Sequence, residues 1–311
     1  MDTVLVAGIE TVAGANIAAS LTDRFRVIGL TSQKEIEIGG CETVAFSQNI
    51  PERIKNILST YSPQWVIYCG AAANSSWQGG KNITATTDTV QAGRNWAAEC
   101  AKLKCRFTAL SSDGIFTSPW MFHEEAGESF CTSPAGKTIR AMEQQILAAN
   151  PQSLIVRTNT FGWSPQSETK GWLENLLDQL ETGKKLDLDC IRHATPILAT
   201  DLANLLEQAY QQRLQGTFHI GGAERINPVQ FVQRLAHQFG LSIPLFGQTA
   251  TLTEQPSGYG RGETSLQTRK ARRALNAAMP MVEEGLTRLE EQQTNGFCAR
   301  IKSGQKSLQE A

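Results

Sequence analysis

The stretch TVLVAGIETVAGANIAASLTD, residues 3–23, decides the fold. Its apolar start over Thr3–Gly8 predicts a buried strand, and its end predicts a helix over Asn16–Asp23. Glycines stand in the turn between the two. A strand that passes through a glycine turn into a helix is typical of the first unit of a parallel α/β sheet.

The next segments repeat this unit. Strands are predicted over Arg26–Leu30, Trp65–Cys69, Arg106–Leu110 and Ser153–Arg157, and helices over Ile50–Thr60, Thr89–Leu103 and Pro134–Ala149. The alternation predicts an α/β fold with a Rossmann-like, doubly wound parallel sheet and right-handed crossovers.

Beyond residue 160 the predicted strands and helices no longer alternate regularly. Helices are predicted over Leu173–Thr182, Thr200–Gln212 and Pro228–Phe239, with a short strand over Thr217–Ile220. We expect residues 1–160 to form a dinucleotide-binding Rossmann-like domain and residues 161–294 a smaller C-terminal substrate lobe, interleaved with it. The glycine-rich stretch Glu254–Glu263 predicts a mobile loop, and the polar tail 295–311 predicts disorder.

Composition narrows the classes of partner. With 29 basic and 30 acidic residues the net charge is -1, which argues against nucleic acid and against an anionic membrane surface. The seven cysteines form no CxxC pair, so we expect reduced thiols. The chain shows no signal peptide and no apolar run of the roughly 18 residues that a membrane span needs. A cytoplasmic protein with small-molecule partners is expected.

The histidines do not predict a metal site. His123, His193, His219 and His237 are far apart in the sequence and show neither HxxxH nor HExxH spacing.

The turn GIETVAG, residues 8–14, is a candidate phosphate-binding turn. Gly8 and Gly14 let the backbone approach a pyrophosphate, Val12 is a candidate contact within the turn, and the amides and dipole at the start of the following helix stabilise that charge. The extended short-chain dehydrogenase pattern GxxGxxG has a third glycine where this chain has Thr11. A side chain there reshapes the phosphate site, or the turn is an ordinary strand-to-helix connection with an empty cleft.

The end of the second strand bears on the choice of dinucleotide. An acid there favours the free ribose hydroxyls of NAD, whereas a base favours the extra phosphate of NADP. Thr31 and Ser32 stand at the strand end, with Lys34 just beyond. The cofactor expected is therefore NADP or NAD, with NADP favoured by Lys34.

Several segments resemble those of one reductase family. PQWVIYCGAAA at 63–73 is similar to its "PDVVINCAAY", SSDGIF at 111–116 to "STDYVFDG", and VRTNTFG at 156–162 to "LRTSWVYG". ATPILATDLANLL and GTFHIGGAERINPVQFVQRLA resemble "PTYVEDLA" and "GIYHLAGEGSCSWYEFA". Over residues 3–290 the chain resembles dTDP-4-dehydrorhamnose reductase and its relatives, which are extended short-chain dehydrogenases/reductases that bind sugar nucleotides.

The resemblance implies roles for several residues. Gly70, Ala71 and Ala72 would pass under the cofactor, and Ser112 would stand where the family carries a catalytic hydroxyl. The partners that it implies are a dinucleotide, a sugar nucleotide, or both.

The family's proton-donating dyad is replaced. A tyrosine there donates a proton to the sugar carbonyl, and a lysine four residues later, on the same helix face, lowers its pKa. Ala135 and Ile139 occupy these positions, and Lys137 lies on another face. We therefore expect a pseudoenzyme with Ser112 as a remnant, in a regulatory or scaffolding role with a protein partner. One relative is a non-catalytic partner of methionine adenosyltransferase.

Two alternatives stay open. An active NAD(P)H-dependent reductase of a 4-keto sugar nucleotide would need another acid, for which Tyr259, His123, Glu124 and Glu125 are candidates. A purely structural protein with an empty cleft follows if Thr11 blocks the turn. Tyr61, Tyr68 and Tyr210 are expected away from the site.

Aromatic and basic side chains near the predicted second lobe are further candidates. Trp163 and Trp172 are placed to stack on a base, although core packing explains them equally well. Arg192, Arg261 and Arg269 are candidates for holding a pyrophosphate, with Arg261 favoured by its loop.

Overall fold

A computed structural model describes residues 1–32, 36–78, 85–117, 120–166, 170–188, 190–243 and 258–302. The predictions made for Lys34, for residues 254–257 of the mobile loop and for residues 303–311 of the tail lie outside these ranges.

The fold is built on one parallel sheet. The strands are β1 (Thr3–Ala7), β2 (Arg26–Thr31), β3 (Glu42–Ala45), β4 (Trp65–Tyr68), β5 (Arg106–Ser112), β6 (Leu154–Thr158), β7 (Thr160–Phe161), β8 (Ile197–Leu198) and β9 (Gly216–His219). The main sheet has the order β3-β2-β1-β4-β5-β6-β9, and β7 pairs with β8 separately. All of these strand pairs are parallel. The predicted α/β Rossmann-like sheet is therefore confirmed.

Helices cover the sheet. In the described ranges they are α1 (Val12–Leu21), α2 (Pro51–Tyr61), α3 (Thr87–Lys102), α4 (Pro134–Ala149), α5 (Trp172–Glu181), α6 (Ala199–Gln211), α7 (Pro228–Gln238), α8 (Arg269–Leu275), α9 (Val282–Thr294) and α10 (Phe297–Ile301).

The alternation of side chains along β1 explains the layers. Val4 and Val6 belong to one apolar cluster, which includes Ile17 of α1, whereas Leu5 belongs to a second cluster, which includes Trp96 of α3. Every residue of β1 is buried because both faces of the sheet are covered. The sequence of a central parallel strand is therefore a continuous apolar run.

The first helix begins earlier than predicted. It starts at Val12 rather than at Asn16, since the Thr11 hydroxyl accepts a hydrogen bond from the Gly14 amide and caps the helix. The strand predicted in the smaller lobe, at Thr217–Ile220, instead forms β9 at one edge of the main sheet. At the other edge, β3 was not predicted, because its Thr43 and Val44 are only partly buried.

The C-terminal part differs from the prediction. Helices α8 and α9 follow the glycine-rich stretch, and the tail expected to be disordered forms α10 over Phe297–Ile301. Ile301 is fully buried, and the Arg300 Nη1 donates to Ala19 O at 3.2 Å and to Thr22 Oγ1 at 3.1 Å. One buried isoleucine and one arginine therefore fix the start of the tail against the end of α1.

Within the ranges that the structure describes, no helix has the length and hydropathy needed to cross a bilayer. All seven cysteines carry free thiols.

Candidate functional site

A cavity of about 440 Å³ opens at the carboxyl ends of β1, β2 and β4. Ligands of doubly wound sheets bind at this edge. Its lining comprises Ala7, Gly8, Glu10, Thr11, Leu30, Ser32, Phe46, Ser47, Asn49, Tyr68, Cys69, Gly70, Ala71, Asn74, Asp88, Thr89 and Ala92. The expectation that Tyr68 lies away from the site is therefore wrong, because this residue ends β4 at the cavity wall.

A second cavity of about 400 Å³ lies between the start of α1 and α5. Glu10, Thr11 and Asn74 line both cavities. Trp172 lines the second cavity, as the base-stacking interpretation requires, whereas Trp163 is buried in the apolar cluster beside α1. The two cavities therefore adjoin at the glycine turn.

The turn keeps the two glycines that its geometry needs. Gly8 has a φ of 99°, and a Cβ there would overlap the Cys69 carbonyl oxygen; a Cβ at Gly14 would overlap the Gly8 carbonyl oxygen. Thr11 has an ordinary extended backbone, with a φ of -84°, so position 11 does not require glycine. The threonine is compatible with the turn without backbone strain.

Thr11 changes which amides are free for an anion. Its Oγ1 donates to the Gly8 carbonyl oxygen at 2.8 Å and accepts from the Gly14 amide at 3.0 Å. The first amides of a helix have no partner within it. Since Gly14 is capped by Thr11, the amides of Val12 and Ala13 remain for a phosphate at the positive end of α1.

Glu10 provides an acceptor at the same place. Its Oε1 accepts a hydrogen bond from Ser32 Oγ at 3.0 Å, while its Oε2 is buried and has no hydrogen-bond partner among the described residues. Asp88 is the other charged residue of the first cavity, and no described lining residue is basic. Sequence reasoning missed Glu10, although it stands inside the quoted turn, because the acid was sought only at the end of β2.

Only some of the residues predicted to bind the cofactor line a cavity. Gly8, Thr11, Gly70 and Ala71 line the first cavity, and Val12 lines the second. Gly14, Thr31 and Ala72 are buried behind these residues.

The two dyad positions on α4, Ala135 and Ile139, lie against the apolar core. Ile139 is fully buried, in a cluster with Met142 and Phe107, and Ala135 packs against the same cluster. Ser133 caps the helix by accepting from the Gly136 amide at 3.2 Å. The positions of the tyrosine and the lysine therefore belong to the packing of α4 against the sheet.

Ser112 is sealed inside the protein. Its side chain is fully buried, and its Oγ accepts from the Gly114 amide at 3.0 Å and contacts Asp113 Oδ1 at 3.4 Å. Asp113 in turn accepts from Asn159 Nδ2 at 2.9 Å and from Thr264 Oγ1 at 2.8 Å. Burial raises the pKa of Asp113 to about 6, against the opposing hydrogen bonds from Asn159 and Thr264.

Tyr259 packs against Gly114, next to Ser112 and Asp113. The residue is buried, its ring packs on Gly114, and the Gly260 amide donates to the Gly114 carbonyl oxygen at 3.0 Å. The described part of the predicted mobile loop, from residue 258, therefore packs against the sheet. Burial raises the pKa of the Tyr259 hydroxyl far above its usual range; the nearby Ser112 hydroxyl opposes this, and the Asp113 charge adds to it. The hydroxyl lacks a hydrogen bond of normal geometry.

Two of the three other candidate acids, His123 and Glu125, have structural partners. His123 stacks on Phe116 with ring centroids 4.5 Å apart, and its Nε2 lies 3.2 Å from the Glu263 carbonyl oxygen. Burial lowers the pKa of His123. Glu125 Oε1 accepts from the His219 amide at 3.0 Å, and Glu124 is exposed.

The three candidate arginines do not converge on the cavities. Arg261 and Arg269 are exposed and Arg192 is half-buried, and none of them lines either cavity. Among the residues with described positions, no group of three or more His, Cys, Asp or Glu is placed to hold a metal ion.

Comparison with known families identifies the chain. Residues 2–294 match the family described as the RmlD substrate binding domain. The chain belongs to this family. The resemblance seen in the sequence is confirmed, because the match extends over both predicted lobes.

Individual relatives are distant. The chain is 21% identical over 290 residues to a probable low-salt glycan biosynthesis reductase of Haloferax volcanii, covering 92% of this chain and 96% of that protein. The structure is similar to dTDP-4-dehydrorhamnose reductase from Bacillus anthracis in complex with NADP, with a TM-score of 0.73 and 15% identity over 94% of this chain and 99% of that one. It is also similar to UDP-glucose 4-epimerase from Thermotoga maritima with UDP-glucose, with a TM-score of 0.73 and 15% identity over 95% and 99% of the two chains. These two likenesses show the shared fold.

Proposed function

We propose that this protein binds a dinucleotide and a sugar nucleotide in the manner of its family but does not perform the standard reductase step. Its role is then that of a cytoplasmic pseudoenzyme that regulates or scaffolds a protein partner. The observation that carries the proposal is the burial of Ile139, because the position of the dyad's lysine lies in the apolar core.

The cleft fits a dinucleotide. The Val12 and Ala13 amides would bind the pyrophosphate, Gly70 and Ala71 line the floor, and the free oxygen of Glu10 would accept from the adenosine ribose. The NADP and UDP-glucose in the two similar structures support these ligand classes. When bound, the nicotinamide would supply hydride chemistry.

The charges of the cleft favour NAD over NADP. Glu10 and Asp88 line the first cavity without a described cation beside them, and a carboxylate repels the 2′-phosphate that distinguishes NADP. The same carboxylate accepts a hydrogen bond from a free 2′-hydroxyl.

The reductase step lacks a proton source that a substrate reaches. A positioned general acid increases the rate of such a step about 10²- to 10⁴-fold. Ser112 and Asp113 are fully buried, and Tyr259 is buried as well, which raises the pKa of its hydroxyl and makes it a weaker acid. The alternative, an active reductase that uses Tyr259, is supported by one observation: its hydroxyl lies beside Ser112, as the family's acid lies beside its serine or threonine.

Binding and turnover on the same sample test the proposal. Intrinsic fluorescence follows titration with NAD⁺ and NADP⁺, since Trp172 lines the second cavity. We expect saturable NAD⁺ binding, lost in Ala71→Leu but kept in Ala126→Leu, which adds the same side chain on an exposed loop. With bound NADH and a dTDP-4-keto sugar, we expect no oxidation above the protein-free rate. Absence of binding would instead support the structural protein with an empty cleft.

A further inference from the structure

Three consecutive apolar side chains are exposed after β5. The exposed fractions are 68% for Trp120, 60% for Met121 and 39% for Phe122. Large apolar side chains that are contiguous on a surface mark sites of interaction, whereas scattered ones do not.

The backbone holds Phe122 in an unfavourable conformation. Its φ is 54°, in the left-handed region that bulky residues rarely occupy. Two hydrogen bonds fix it: the Phe122 amide donates to Ser265 Oγ at 2.9 Å, and the His123 amide donates to the Ser265 carbonyl oxygen at 2.8 Å. A strained residue that is held in place and exposed is typical of a functional surface.

Phe122 lines a cavity of about 400 Å³ beside this surface. Leu266 and Met279, both buried, form an apolar floor, and Thr268 and Arg272 border it. Among the described residues of the lining, Arg272 alone is charged. The cavity has room for one large apolar side chain next to one carboxylate.

Helix α8 adds positive charge along the rim. Arg269, Lys270, Arg272 and Arg273 are all exposed within this one short helix. Lys270 Nζ donates to the Thr217 carbonyl oxygen, but the described contacts pair none of the three guanidinium groups with a carboxylate. The chain as a whole has a net charge of -1, so this patch is a local concentration of positive charge.

We propose that residues 120–122, α8 and the cavity between them form a docking surface for an acidic protein segment with one aromatic or large aliphatic anchor. The anchor enters the cavity against Leu266 and Met279, and flanking carboxylates pair with the arginines. Trp, Phe, Met and Arg are the residues enriched in protein interfaces, and the chain lacks the basic excess of nucleic-acid binders. Because α8 packs on β9, at the edge of the sheet remote from β2, the surface does not depend on cofactor binding.

Fluorescence anisotropy of a labelled oligoglutamate peptide with one central phenylalanine, titrated with the full chain, tests the proposal. We expect saturable, salt-sensitive binding that weakens at least about tenfold in Arg272→Glu/Arg273→Glu. The double variant Arg53→Glu/Lys55→Glu on the exposed face of α2 is the matched control and should bind as the wild type does. Phe122→Gly removes the anchor contact and relieves the backbone strain, so it should weaken binding without lowering the Tm.

Five results would overturn the proposal. The first is no binding of the peptide, and the second is equal weakening by the two double variants, which indicates non-specific attraction. The third is unchanged affinity for a peptide with alanine at its centre, and the fourth is tighter binding of single-stranded DNA. The fifth is self-association in sedimentation that Phe122→Gly abolishes, because the occupant is then a second copy of this chain. Binding by the cofactor-deficient Ala71→Leu variant separates failure of this surface from failure of the proposed function.

Discussion

The Tyr259 ring lies so close to Gly114 that a Cβ atom at position 114 would come within 2.7 Å of it. This contact joins residues 258–260 to the segment that follows β5. The Tyr259 hydroxyl lies beside Ser112, and both residues are buried. The packing between these two parts of the chain therefore keeps Ser112 away from solvent.

Tyr259 should contribute through its ring and little through its hydroxyl. We expect Tyr259→Ala to lower the free energy of unfolding by about 3–5 kcal/mol, as for other buried aromatic residues. Tyr259→Phe should change it by less than about 1 kcal/mol, because the hydroxyl has no hydrogen bond of normal geometry to lose. Urea unfolding measures both. A large loss in the phenylalanine variant would show that the hydroxyl is bonded and favour its catalytic use.

Restoring the lysine of the dyad should damage the fold. Ile139→Lys places an ammonium in the apolar cluster around Met142, and we expect the free energy of unfolding to fall by at least about 3 kcal/mol. Gln144→Lys, at an exposed position on the same helix, should change it by no more than about 0.5 kcal/mol. Equal stability of the two variants would mean that position 139 faces the cleft.

Much of this architecture follows from local pattern. The apolar runs at Thr3–Gly8 and Trp65–Cys69 predicted β1 and β4, because strands buried on both faces need no alternation. Edge and surface elements lacked that signal: β3 is half-exposed, and α8 carries four charged residues among seven. Helix α7 begins at Pro228 as predicted, and Asn227 caps it by accepting a hydrogen bond from the Gln230 amide.

The site was predictable only where it is local. The sequence alone shows Ala135 and Ile139, the two residues that the resemblance places at the dyad's positions. The Asp113, Asn159 and Thr264 cluster joins residues up to 151 positions apart, so no spacing in the sequence indicates it.

Asp113 should make stability depend on pH. Its pKa in the folded protein, about 6, lies above the ordinary value of 3.8, so the folded state binds the proton more tightly than the unfolded state. The resulting stabilisation is complete below pH 3.8 and is lost as the pH rises through about 6, in total about 3 kcal/mol.

The comparison with Asp113→Asn isolates this effect. Both proteins contain His123 and His219, whose lowered pKa values act in the opposite direction, so the histidines cancel in the difference. The free energy of unfolding of the wild type, minus that of Asp113→Asn, should decrease between pH 4 and pH 7. A flat difference would mean that Asp113 titrates as an exposed carboxyl does.

Glu10 should set the preference between the two dinucleotides. In Glu10→Gln the negative charge near the ribose is gone, and we expect the ratio of NADP⁺ to NAD⁺ dissociation constants to fall about tenfold. Asp88→Asn removes the other carboxylate of the cavity but not the Ser32 contact, and should have the smaller effect. Calorimetric titration gives the constants. A preference for NADP⁺ in the wild type would contradict the role given to Glu10.

Transfer of deuterium tests the central claim most directly. The full chain, saturated with NADH deuterated at the transferring position, is mixed with a dTDP-4-keto sugar, and mass spectrometry follows the label. We expect no deuterium in the sugar above the protein-free control, since no acid reaches the carbonyl. Rapid transfer that disappears in Tyr259→Phe would contradict the account and make this protein a reductase with a relocated tyrosine.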